Sequence, residues 1–207
     1  MSSSNLIRWS GLVALIGGGL FVILDVVDFI SFGNQSFTEV ATTSIWIIVQ
    51  GAYVVAAVLI TLGLVGMYVY QAQEAGTLGL VAFVVTFFGG MMAAGSSWSE
   101  TFFGPWLAEA APGLMEADPA GSVITGVLIS YLLFALGWFL FGLASLQAKV
   151  LPRGASVLLM IGAVLFLALG FIELPFASAV LGAALAWLGF ALWSGVSQPV
   201  RSAKVAM

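Results

Sequence analysis

Six stretches of about twenty apolar residues follow one another along this 207-residue chain with little between them. A helix rises 1.5 Å per residue, so about twenty residues cover the roughly 30 Å hydrocarbon core of a bilayer. The runs lie at about 9–30, 43–70, 77–97, 119–147, 154–173 and 175–195. In lipid the backbone N–H and C=O groups find no water, so each run must pair its own polar groups and is expected to be a helix. The expected architecture is all-α: one transmembrane domain over 1–207, a polytopic six-helix bundle. Composition agrees, since 62% of residues are hydrophobic, 7% are charged and the mean hydropathy is +1.17. A water-soluble domain needs far more polar surface than that.

The same composition excludes whole classes of chemistry. The chain has neither cysteine nor histidine. Disulfides, thiolate nucleophiles, Cys-bound zinc, iron–sulfur clusters, His-ligated haem and His acid–base catalysis are therefore ruled out. No cofactor motif is present, and no cofactor is expected. With a net charge of −4 and no basic run, nothing tracks a phosphate backbone, so nucleic acid is not an expected partner. The lipid bilayer is the expected surroundings, with a membrane-protein partner or a second copy as the expected protein contact.

Local signals mark the boundaries. Ser36-Phe37-Thr38-Glu39 has capping-box spacing, which places the start of the second helix several residues ahead of its apolar run. Asp118 before Pro119 reads as an N-cap with proline at the first helical position. Pro175 would start the last helix in the same way. Leu151-Pro152-Arg153 breaks the chain between the fourth and fifth helices. The first run resembles a signal peptide, but it lacks a small-residue cleavage site and ends in Asp25 and Asp28, so it is expected to be retained. Asn34-Gln35-Ser36 matches a glycosylation sequon and lies close to the membrane.

Charge gives the bundle a direction. With six spans, Arg8, Lys149, Arg153, Arg201 and Lys204, which are all the basic residues, fall on one side. The positive-inside rule makes that side cytoplasmic, with both termini inside and the protein in the cell membrane. Trp9, Tyr68, Tyr70 and Trp193 then fall at the inner interface, and Trp46, Trp98 and Trp106 at the outer one. Of the acidic residues only Glu74 is cytoplasmic; Asp25, Asp28, Glu39, Glu100, Glu109, Glu116, Asp118 and Glu173 lie in or toward the outer half.

The run 62–68 (LGLVGMY), the Leu151-Pro152-Arg153 turn and the closing stretch 187–193 (WLGFALW) resemble a loose group of small bacterial membrane proteins classed as domains of unknown function. The resemblance implies a six-helix integral membrane protein and brings no active residue with it. A weak internal repeat accompanies it. The stretches 66–72 and 142–148 end the second and fourth helices, and Leu-Gly recurs at 62–63, 136–137 and 188–189, as three tandem helical hairpins would produce.

Asp25 and Asp28 are the sharpest candidates for chemistry. Three residues apart, they share a helix face, with Asp25 about one turn below the interface. No Lys or Arg lies within the spans to neutralise them. They need a proton, a cation or neutral donors, and a hairpin of the first two helices would bring Ser44, Trp46 and Gln50 to their depth. One reading is a proton or cation site with Glu100 and Glu173 as further oxygen ligands. The other is that both aspartates mark a hydrated helix end.

The segment 99–120 is the one long loop expected, with Pro105 and Pro112-Gly113 limiting any helix to about two turns and its aromatics lying at the interface as an anchor, lid or docking surface. Gly17, Gly18, Gly19, Gly89, Gly90, Gly162 and Gly170 are expected at close helix contacts, with a locally unwound first helix at 17–19 as the alternative. The function expected first is a non-enzymatic accessory or interaction subunit, or a membrane sensor. A small transporter or channel using the outer carboxylates comes second. An intramembrane enzyme using Ser130 and Tyr131 comes last, because no basic residue stands near them.

Overall fold

The computed structural model describes residues 3–33, 35–115, 117–169 and 176–195. They form seven helices: α1 (Ser3–Phe32), α2 (Phe37–Ala41), α3 (Ser44–Ala110), α4 (Pro112–Met115), α5 (Gly121–Ala148), α6 (Arg153–Leu169) and α7 (Ala177–Ser194). The described residues contain no strand. Helices of 28, 67 and 28 residues (Asn5–Phe32, Ser44–Ala110 and Gly121–Ala148) are long and apolar enough to cross a membrane, and two shorter apolar helices follow.

The 67 residues of α3 do not form one rod. Gly76 adopts φ 55° and ψ −145°, a conformation that a side chain disfavours strongly. The chain folds back there into two antiparallel arms, 44–75 and 77–110. Contacts between the arms run along the hairpin: Tyr68 stacks on Phe83 at 4.4 Å, and the Trp46 indole Nε1–H donates to the Glu100 carbonyl oxygen at 3.1 Å. The gap expected at 71–76 thus contracts to a single glycine, because glycine alone reverses the chain without a loop.

Helix neighbours close into a ring. α1 packs on the first arm of α3 and on α7, α7 on α6, α6 on α5, and α5 on the second arm of α3. Glycines permit the close crossings. A Cβ on Gly63 would sit 2.5 Å from Ala14 Cβ, one on Gly137 2.5 Å from Thr86 Cα, and one on Gly189 2.4 Å from the Leu15 nitrogen. These are the three Leu-Gly glycines, so they share a packing role, although Gly189 meets α1 rather than its hairpin partner α6. Gly17, Gly18, Gly89 and Gly162 also face neighbouring helices closely, and α1 runs unbroken through 17–19. Gly19 has nothing within 4 Å, and Gly170 lies outside the described residues.

The interior toward the Gly76 end is mostly apolar, with Leu64, Met67, Trp138, Phe141, Leu159, Leu185 and Leu188 fully buried. The outward faces are apolar instead of polar, with Ile30 75 % exposed and Ile48, Leu114 and Phe88 similarly bare. Such a surface suits lipid and not water.

Several boundaries differ from expectation. The third run does not end at 97. Its helix continues to Ala110 through Pro105, and the long loop over 99–120 shrinks to 111–120, including the short α4. Proline removes one backbone donor, but Gly104 seats against Phe37 and Trp46, and Ala108 joins a buried cluster with Val40, Ala41 and Trp46. Tertiary packing outweighs the local break. Ser36 does begin a helix, with its N–H donating to Glu39 Oε2 at 3.0 Å, but that helix is the separate five-residue α2. Thr43 caps the next one, its Oγ1 accepting the Trp46 N–H at 3.2 Å. The N-cap of α5 is Ala120, not Asp118, since the Ala120 carbonyl accepts the first helical amides from Val123 and Ile124. The Asn34 sequon position, the Pro175 helix start, Glu173, Arg201 and Lys204 lie outside the described residues.

Candidate functional site

At the end of the bundle opposite Gly76, the ring of helices opens around a cavity of about 240 Å³. Every long rod lines it. α1 supplies Phe21, Asp25 and Asp28. The first arm of α3 supplies Gln50, Tyr53 and Thr61, and the second supplies Ser96, Ser97 and Glu100. Tyr131 and Phe134 come from α5, Phe166 from α6 and Ser178 from α7. The two aspartates project together because three residues make nearly one helical turn. Glu100 faces them because the fold at Gly76 returns the second arm beside the first.

The acidic groups are held differently. Asp25 Oδ2 accepts the Ala179 N–H at 3.0 Å, and Ser178 lines the cavity beside it. Phe176 occupies the N-cap of α7 in the left-handed region and offers no side-chain acceptor. Asp25 therefore satisfies an amide that the helix leaves open and lies at its positive end. Glu100 Oε1 accepts the Ser96 hydroxyl at 3.2 Å. Asp28 accepts no hydrogen bond among the described residues. Gln50 is only 6 % exposed, lines the cavity, and leaves its side-chain amide without a partner among the described residues. Among the described residues no lysine or arginine lines the cavity.

Of the residues singled out from the sequence, Asp25, Asp28, Gln50 and Glu100 come together here. Ser44 and Trp46 do not. Trp46 is buried against Phe32 and Phe37, so it is neither a donor to the aspartates nor an interface anchor, whereas Trp98 and Trp106 remain exposed. Ser130 donates to the Gly126 carbonyl within its own helix, while Tyr131 lines the cavity. Tyr53, Thr61, Ser97 and Ser178 escaped sequence reasoning. Among the described residues no group of three or more acidic side chains is close enough to hold a metal ion.

No family model, curated protein or solved structure matches the chain. Fold and cavity therefore define a class only: an all-helical protein with helices long and apolar enough to span a membrane and a carboxylate-lined cavity at one end.

Proposed function

We propose that this is a non-enzymatic integral protein of the cell membrane that acts as a sensor or accessory subunit and takes up a proton or cation in the acidic cavity. The chain crosses six times, with both termini in the cytoplasm and the cavity in the outer half. The rods at α1, the two arms of α3, α5, α6 and α7 support the six crossings. Arg8, Lys149 and Arg153 support the orientation, because they lie toward the end opposite the cavity.

The observation that carries this reading is the convergence of Asp25, Asp28 and Glu100 on one cavity with no basic residue among its described lining. Carboxylates so placed favour a positive occupant. Below the cavity Leu64, Met67, Trp138 and Phe141 are tightly packed and fully buried, which favours binding and response over conduction. A membrane partner or a second copy would read the response, since residues from every rod line the cavity.

One observation favours the second reading, a small transporter. The Gln71 amide and the Trp138 indole N–H are fully buried near the opposite end without hydrogen-bond partners. The Gln71 amide oxygen left open there would serve a cation once the helices part, whereas the indole N–H can only donate. Purified protein in proteoliposomes, under imposed proton and cation gradients, separates the two. Binding that Asp28→Asn abolishes, without flux, supports the sensor. Flux that the same substitution abolishes supports the transporter. Neither binding nor flux overturns both.

A further inference from the structure

We infer that the occupant of the acidic cavity is a small organic ammonium ion with an apolar body and at least one N–H group, rather than a bare inorganic cation. This rests on the cation-binding reading above and names the class of ligand.

Four features of the cavity point the same way. The first is size: about 240 Å³ approaches the roughly 300–1,000 Å³ of small-molecule sites. The second is the wall. Phe21, Tyr53, Tyr131 and Phe134 line it beside the carboxylates, and Phe21 meets Tyr53 edge-on at 5.5 Å. Aromatic rings attract cations and also cover alkyl groups, a combination that suits ammonium ions. The third is the dispersal of the acids. No three of the described acidic side chains gather tightly enough for a metal ion, whereas an ammonium ion donates single hydrogen bonds to separated acceptors. The fourth is Gln50. Its amide, in a side chain 6 % exposed and facing the cavity, has no partner among the described residues. Facing the cavity, that amide is open to a ligand. Its oxygen would accept an ammonium N–H beside the free carboxylate of Asp28.

The test is calorimetric titration of the full chain in an uncharged detergent, with n-butylammonium chloride as probe and sodium and calcium chlorides as competitors at matched ionic strength. Saturable butylammonium binding is expected, undiminished by sodium or calcium. Tetramethylammonium, which has no N–H, should bind more weakly. Asp28→Asn should weaken butylammonium by about tenfold or more, and Gln50→Leu and Tyr53→Leu each by several-fold. The competition series uses unmodified protein, so it decides the matter even if a variant misfolds. Saturable sodium or calcium binding without butylammonium binding would overturn the inference and leave cation binding standing. If no ion binds and no proton is taken up, both fail.

Discussion

Asp25 Oδ2 lies 3.0 Å from the Ala179 nitrogen, so a carboxylate of α1 caps a helix that begins some 150 residues later in the chain. The contact ties α1 to α7 at the cavity rim. Asp25 thus has a structural partner, while Asp28, one turn further on, stays open toward the cavity.

Removing that cap should destabilise the bundle. Asp25→Ala is expected to cost about 1–2 kcal/mol, as loss of an N-cap acceptor does. Asp25→Asn should cost less, because its amide oxygen still accepts the Ala179 N–H. Reversible unfolding in mixed detergent micelles measures both. Equal stability of the alanine and native proteins would show that the cap contributes nothing.

Gly76 and Gly19 make a matched pair. A Cβ at either position meets nothing within 4 Å, but Gly76 has φ +55° and Gly19 lies within α1. Gly76→Ala should lower stability by about 1–3 kcal/mol through backbone strain alone. Gly19→Ala should be neutral or raise it by up to about 1 kcal/mol, since alanine favours the helix. The same unfolding measurement compares them.

These two glycines also mark how much could be read from the chain. Long apolar runs are legible because lipid forces their backbones to pair internally, and α1, α5 and both arms of α3 follow from them. Gly76 was hidden among residues that all favour helix, since its role depends on a backbone angle and not on hydropathy. The extension of α3 through Pro105 was hidden because packing around Gly104 and Ala108 decides it. Asp25, Asp28, Gln50 and Glu100 could be read as polar groups at a common depth. Tyr53 and Ser178 could not, because only the closure of the ring brings α7 and the first arm of α3 to the same cavity.

Glu39 gives α2 a pH dependence. The Ser36 N–H bonded to its carboxylate holds the group below its ordinary value of 4.5. Its contribution is therefore complete above about pH 4.5 and is lost as pH falls through the lower, folded-state value. Hydrogen exchange over 36–43, corrected for intrinsic rates, should show protection falling in acid. Glu39→Gln keeps the capping geometry and should flatten that dependence. An unchanged acid response in the variant would assign it to another group.

The absence of cysteine from the chain makes topology directly measurable with single substitutions at exposed positions. Thr42→Cys and Asp118→Cys should react with a membrane-impermeant maleimide in intact cells. Gln73→Cys, near the Gly76 turn, should react only after permeabilisation. The reverse pattern would invert the orientation, and labelling of all three in intact cells would contradict the six-span arrangement.

The cavity itself is probed most directly from within, through Ser97→Cys, whose side chain lines it. Its labelling in intact cells should be compared for two methanethiosulfonate reagents of similar size, one carrying a quaternary ammonium and the other a sulfonate. An outward-facing acidic cavity predicts reaction from outside, with the cationic reagent faster by about tenfold or more after correction for intrinsic reactivity. Reaction only after permeabilisation, or equal rates for the two reagents, would contradict it.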